Sequence, residues 1–102
     1  LKIKSLRLKK HIQLCHKTIV KNALGMHARP AAQIAKMAMT ADNNIWLSDG
    51  KNKVDAASII DILTLCATKG ACIHIQAESS EDAPVLDRIK AFFDDGFGEV
   101  TE

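Results

Sequence analysis

The chain has 102 residues, of which 47% are hydrophobic and 25% charged, so it has room for one domain with a single core. No apolar run is long enough to cross a bilayer, and the basic start lacks the apolar segment and cleavage site of a signal peptide. The three cysteines cannot all pair and none forms a Cys-x-x-Cys motif. We therefore expect a cytoplasmic chain that inserts in no membrane and holds no metal.

Charge divides the chain into two parts. Residues 1 to 17 carry six basic residues and no acid, whereas residues 18 to 102 carry the other eight basic residues against all twelve acids, a balance of −4. We expect a basic, poorly ordered extension at residues 1 to 13 and a mildly acidic domain over residues 14 to 102. A nucleic-acid binder using the basic arm is a rival hypothesis. The arm lacks interleaved aromatic residues and the domain is negative, so we predict no nucleic-acid partner.

Hydrophobic periodicity and turn residues predict seven elements in the order β-α-β-β-α-β-α. They are a strand over 14–21, a helix over 28–40, a hairpin over 44–56 turning at Asp49-Gly50, a helix from Ser58 to Gly70, a strand over 71–78, and a helix opened by 79–84 and closed at Gly96. The residues predicted to face the core are Ala31, Ile34, Ala35, Ala38, Ile62, Leu65, Ile73, Ile75, Ala77, Leu86, Ile89 and Phe93. Their spacing predicts an α+β fold with one antiparallel or mixed sheet covered by helices on one face.

Residues 24–32 hold the candidate chemistry. Gly25 gives backbone freedom before a turn, and the proline three residues after His27 suits a first helical turn, so a helix should begin near the histidine. An imidazole there lies beside the first-turn amides of Ala28 and Arg29, which have no intrahelical acceptor, and beside a guanidinium. A neutral imidazole is a nucleophile that can carry a phosphoryl group. The pattern predicts an anion site next to a nucleophile. In an isolated His-x-Arg, however, the histidine is more often an ordinary N-cap or loop residue and the arginine a solvated charge.

Residues 25–32, Gly-Met-His-Ala-Arg-Pro-Ala-Ala, closely resemble the active-site signature of the histidine-containing phosphocarrier (HPr) family of the phosphoenolpyruvate-dependent phosphotransferase system. A second matching segment, Ala-Ser-Ile-Ile-Asp-Ile-Leu-Thr-Leu at residues 57–65, lies at the right distance and runs into Lys69-Gly70. The resemblance extends from about Thr18 to about Glu99. It implies the open-faced β-sandwich of that family, with four antiparallel strands and three helices on one face.

The resemblance implies that His27 accepts a phosphoryl group on Nδ1 from phosphorylated enzyme I and passes it to a histidine of a downstream enzyme II protein such as an enzyme IIA. Arg29 would lie close to that group. Such a chain is a carrier rather than a free-standing enzyme, needs no cofactor, and is expected to be a monomer. Met26 and residues 94–99 look like the nitrogen branch as well as the sugar-transport branch, so the branch stays open. The alternative is a regulatory module whose phosphorylated form docks to transcription factors or metabolic enzymes.

Ser58 is predicted to cap the second helix, with Asp61 in capping-box position. It also matches the serine that a dedicated kinase phosphorylates, and a phosphorylase restores, in part of the family. An ordinary N-cap without a kinase is the alternative. Docking needs apolar surface around the histidine, and core packing is the alternative for apolar residues of the second helix. The candidate docking residues are Ala28, Ala32, Lys36, Met39, Ile59, Ile60 and Leu63.

Overall fold

A computed structural model describes residues 13–101, so the extension predicted at residues 1 to 13 lies outside the described residues except for Gln13. The elements are β1 Leu14–Ile19, α1 Ala28–Ala38, β2 Ile45–Ser48, β3 Lys53–Asp55, α2 Ile59–Thr64, β4 Cys72–Ala77 and α3 Ala83–Asp94, with 3₁₀ turns at Ser80–Asp82 and Gly96–Gly98. The predicted order β-α-β-β-α-β-α is confirmed. Among these helices none is both long and apolar enough to cross a membrane.

The four strands form one antiparallel sheet in the order β1-β4-β2-β3. Side chains alternate across the sheet, so Thr18, Leu47 and Ile73 are buried on the face that the helices cover. The opposite face carries polar and partly exposed side chains such as His74 and Gln76. The structure is thus the open-faced α+β sandwich that the sequence predicted, with three helices on one face of the sheet.

Every residue predicted to face the core is buried. The helical spacing of α1 and α3 places their apolar stripes on the sheet, while α2 contributes the fully buried Ile62. The core also reaches beyond α3, because the buried ring of Phe97 packs against Phe93 with centroids 4.9 Å apart. This packing anchors the segment that follows α3, which includes Glu99.

The predicted end of the second helix was wrong. We expected the helix to run to Gly70, but α2 ends at Thr64, with Leu65 as its C-cap and Cys66 at a positive φ of 50°. A left-handed residue cannot continue a right-handed helix, so the chain turns there. The turn directs the carbonyl of Ala67 to the amide of Met26, at 2.8 Å. The other elements differ from prediction only by shorter ends, as in α1, which stops at Ala38 rather than Thr40.

Candidate functional site

The loop before α1 is fixed by close packing against the loop after α2. Gly25 has φ +72°, and a Cβ at this position would lie 2.8 Å from the carbonyl oxygen of Ala67 and 3.0 Å from the Cα of Thr68. The amide of Met26 donates to that same carbonyl, at 2.8 Å. Only a glycine fits this left-handed, crowded position without moving the backbone, so Gly25 sets where the following histidine lies.

His27 is the N-cap residue of α1, so the helix begins beside the histidine, as the sequence predicted. Its backbone is extended, with φ −147° and ψ −175°, and its carbonyl accepts the first helical hydrogen bond from Ala31 at 3.0 Å. The imidazole makes no capping bond, and 35% of the side chain is exposed. The first-turn amides of Ala28 and Arg29 therefore lie beside a solvent-accessible ring at the positive end of a helix.

A carboxylate that sequence reasoning missed completes the site. Glu99 Oε2 lies 2.8 Å from His27 Nε2 and also pairs with the guanidinium of Arg29. Its other oxygen accepts a 2.8 Å hydrogen bond from Nδ2 of the fully buried Asn22, which also donates to the carbonyl of Gly25 at 2.7 Å. One carboxylate thus joins the histidine, the arginine and the loop that carries them.

Glu99 is held in place by the chain on both sides, a segment that we call the strap, residues 96–101. The buried Phe97 anchors one end, and its carbonyl accepts from Arg29 at 3.4 Å. At the other end, the carbonyl of Val100 accepts from the amide of Ala23 at 2.8 Å, and the carbonyl of Thr101 accepts from Lys69 Nζ. The strap therefore crosses the histidine loop and fixes the carboxylate from both directions.

The environment of Glu99 keeps it ionised. Desolvation raises the pKa of its carboxyl, but hydrogen bonds from Asn22, His27 and Arg29, together with the Arg29 charge, outweigh that effect and hold the pKa below its ordinary value. At neutral pH the site therefore contains one fixed negative charge between an imidazole and a guanidinium. Only 13% of the Glu99 side chain is exposed.

Ser58 and most of the predicted docking residues lie together. Ser58 is the N-cap of α2, and its Oγ accepts from the amide of Asp61 at 3.2 Å, as the capping-box pattern predicted. A groove between α1 and α2 is lined by Ala32, Ala35, Lys36, Met39, Ala57, Ser58, Ile59 and Ile60. Ile60 is 75% exposed and Met39 71% exposed, so these side chains are surface rather than core. Ala28 is also exposed, whereas Leu63 is half-buried and packs against the core.

The other two histidines within residues 13–101 lie away from the site. His74 is on the open sheet face and His16 Nε2 pairs with Asp87 at 3.0 Å, so neither joins the His27 site. The three cysteines are free and exposed. Within residues 13–101 the structure brings together no cluster of three or more His, Cys, Asp or Glu side chains that could hold a metal ion.

Fold and site together define a class of protein. A small open-faced sandwich that presents a histidine and an arginine at the start of its first helix has the architecture of a phosphocarrier domain. A family model described as "PTS HPr component phosphorylation site" matches residues 15–95. The chain therefore belongs to the HPr family of phosphotransferase-system phosphocarriers.

Relatives from both branches of the family match most of the chain. The chain is 35% identical over 81 residues to phosphocarrier protein NPr of Proteus mirabilis, covering 78% of this chain and 90% of the relative. It is 29% identical over 86 residues to phosphocarrier protein HPr of Xylella fastidiosa, covering 84% and 97%. Among solved structures, HPr of Thermoanaerobacter tengcongensis superposes with a TM-score of 0.78 at 29% identity, covering 84% of this chain and 97% of that chain.

Proposed function

We propose that this phosphocarrier accepts a phosphoryl group on Nδ1 of His27 from phosphorylated enzyme I and transfers it to a histidine of an enzyme IIA protein. The observation that carries the proposal is the placement of the His27 ring at the N-terminus of α1, beside Arg29. Helix amides and a guanidinium are the groups that stabilise a phosphoryl dianion. Positioning and charge stabilisation supply most of the catalysis in such a transfer, so the chain itself contributes a nucleophile and an anion site.

The groove between α1 and α2 supports the choice of partner surface. Its exposed apolar side chains, Met39, Ile59 and Ile60, lie beside Lys36, with Arg29 further toward the start of α1. An apolar patch rimmed by cations suits a partner surface that is apolar in its centre and acidic at its edge. We propose that enzyme I and the acceptor dock here in turn, and that Ala28 and Ala32 let them approach the histidine closely.

Ser58 is proposed as a regulatory phosphorylation site on the same surface. It caps α2 and lines the groove, so a phosphate on Oγ would place nearly two negative charges at the docking surface. The helix N-terminus tolerates that charge, whereas an acidic partner would be repelled. A serine kinase and an opposing phosphorylase are the partners that this role requires. A cytoplasmic location belongs to the proposal, and the three exposed free thiols are consistent with a reducing compartment.

Intact-protein mass spectrometry tests the carrier role. The chain is incubated with enzyme I and phosphoenolpyruvate, and its mass is measured before and after brief acid treatment. We expect a single acid-labile phosphoryl addition that is absent in His27→Ala and present in the matched control His74→Ala, whose histidine lies on the far face of the sheet. Addition that persists in His27→Ala would refute the site. No addition to the folded chain would favour the regulatory docking module instead.

A further inference from the structure

The contact between Glu99 and His27 determines where the imidazole carries its proton. An ionised carboxylate accepts hydrogen bonds and donates none. The 2.8 Å contact between Glu99 Oε2 and Nε2 therefore requires the proton of the neutral ring to be on Nε2. The lone pair of that ring is then on Nδ1. A carboxylate that orients a histidine and selects its tautomer plays the same part in serine proteases.

We propose that Glu99 is the positioning carboxylate of the His27 site: it keeps the proton on Nε2 so that Nδ1 is the nucleophile, and it stabilises the positive charge that the ring gains during transfer. The proposal rests on the carrier function proposed above for its chemistry, but the tautomer that it assigns exists before any phosphoryl group arrives. As an anion, Glu99 would repel phosphoryl oxygens, so it acts through His27 and Arg29.

The transfer step follows from this arrangement. The Nδ1 lone pair forms a bond to phosphorus while the bond from phosphorus to the donor's imidazole nitrogen breaks, and the donor imidazole keeps that electron pair. The His27 ring retains its Nε2 proton and becomes cationic as Nδ1 shares its lone pair. The fixed carboxylate lies 2.8 Å from that N–H and stabilises the developing charge.

Arg29 links this step to the incoming group. In the unphosphorylated chain its guanidinium pairs with the same oxygen of Glu99 that contacts His27. A guanidinium has five N–H donors in a planar fork, so it can hold a second anion while one donor stays on the carboxylate. Glu99 thereby keeps Arg29 beside His27 before the phosphoryl group arrives, and the repulsion between the two anions favours transfer onward.

The variant Glu99→Gln separates this role from simple packing. The fully buried Asn22 donates to one oxygen of residue 99, so the glutamine carbonyl would accept that bond and its NH₂ group would face His27. That NH₂ group cannot accept from Arg29, whose guanidinium is half-exposed and would turn to solvent. An amide NH₂ donates to Nε2 and favours the tautomer with the proton on Nδ1, which removes the nucleophile. We expect single-turnover transfer from phosphorylated enzyme I to slow by about 10- to 10³-fold. This is less than the loss for a buried protease aspartate, because the site is partly exposed.

Two measurements test the proposal: the tautomer of the His27 ring and the single-turnover rate of phosphoryl transfer. Nitrogen-15 NMR of the unphosphorylated chain, at a pH where the imidazole is neutral, reports the tautomer without any transfer chemistry. We expect protonated Nε2 in the parent chain and a shift toward protonated Nδ1 in Glu99→Gln. The control Lys69→Met removes the bond to the Thr101 carbonyl and loosens the end of the strap without touching the carboxylate. Because the carboxylate itself remains, this control should change the tautomer and the transfer rate less than Glu99→Gln does.

The outcomes are distinguishable. An unchanged tautomer in Glu99→Gln, or a transfer rate within about twofold of the parent, would overturn the positioning role. Equal slowing in Lys69→Met and Glu99→Gln would assign the effect to strap order and would also overturn it. The variant Glu99→Asp keeps the charge and should retain the parent tautomer. Its transfer rate should lie between those of the parent chain and Glu99→Gln. If the parent chain accepts no phosphoryl group, the carrier function fails, while the NMR result still decides the role of Glu99.

Discussion

The substitution Gly25→Ala should both destabilise the fold and displace the functional loop. The new Cβ would lie 2.8 Å from the carbonyl oxygen of Ala67 and 3.0 Å from the Cα of Thr68, and both are backbone atoms that cannot rotate away. The residue would also keep a φ of +72°, which an L-residue adopts at a cost of about 1–2 kcal/mol. Moving the Ala67 carbonyl would in turn lengthen its hydrogen bond to Met26.

A matched control isolates the steric part of that effect. Gly98 has nearly the same φ, +70°, but the nearest heavy atom to its added Cβ is Asp95 Oδ2 at 4.0 Å, an ordinary contact. Gly98→Ala should therefore lower the free energy of unfolding by only the backbone term of about 1–2 kcal/mol. Gly25→Ala adds the overpacking of a crowded site, about 1–3 kcal/mol, for a total of about 2–5 kcal/mol.

Urea unfolding followed by the fluorescence of Trp46 measures both variants. Trp46 is the only tryptophan of the chain and lies in β2, where its Nε1 donates to Glu78, so its signal reports the sheet rather than the substituted loops. We expect Gly25→Ala to lose more free energy of unfolding than Gly98→Ala. We also expect it to accept phosphoryl groups more slowly, because the displaced loop moves His27 away from Glu99. Equal losses within about 0.5 kcal/mol in the two variants would refute the steric reasoning.

Three further predictions concern the cap, the groove and the acids. Ser58→Ala removes the acceptor for the amide of Asp61 and should lower the free energy of urea unfolding by about 1 kcal/mol. Ile60→Ser changes a 75% exposed side chain, so stability should stay within about 0.5 kcal/mol while KM for phosphorylated enzyme I rises; an unchanged KM would remove Ile60 from the docking surface. Hydrogen bonds from Lys90 and Thr18 lower the pKa of Asp94 below its ordinary value of 3.8. The pKa of Glu99 is also lowered from its ordinary value of 4.5, because hydrogen bonds from Asn22, His27 and Arg29 outweigh desolvation. A carboxyl whose pKa is lower in the folded state than in the unfolded state stabilises the fold at any pH above its unfolded-state pKa. That stabilisation is lost as the pH falls through the folded-state pKa. Acid titration of stability should show this decline, less steeply in Glu99→Gln.

Local patterns were enough to predict the elements and the core. Strand alternation placed Ile73 and Ile75 inward, and helical spacing placed Ile34 and Phe93 inward, because each pattern depends on residues a few positions apart. The end of α2 was missed for the opposite reason. The sequence Leu-Cys-Ala after Thr64 contains no helix-breaking residue, and the turn at Cys66 is set by tertiary contact between Ala67 and Met26.

The site was predicted only as far as its local part extends. His27 and Arg29 are two residues apart at the start of one helix, so the sequence shows them together. Glu99 is 72 residues from His27, and a single glutamate in a segment that already contains Asp94 and Asp95 carries no signal of its own. Asn22, which orients Glu99 from a fully buried position, lies between the first predicted strand and the first predicted helix, where no local pattern indicates a role for it.

The distance in sequence between His27 and Glu99 has a consequence for folding. We expect the contact to form only after β1 has paired with β4 and α3 has packed on the sheet, because the strap continues from α3 and is anchored by Phe97. Pairings this distant in sequence form late relative to local helices. A partly folded chain thus already contains the His27 motif but lacks the carboxylate that orients the ring. We expect phosphoryl acceptance to appear with the last cooperative step of folding. Partly folded chains would then accept few phosphoryl groups from enzyme I.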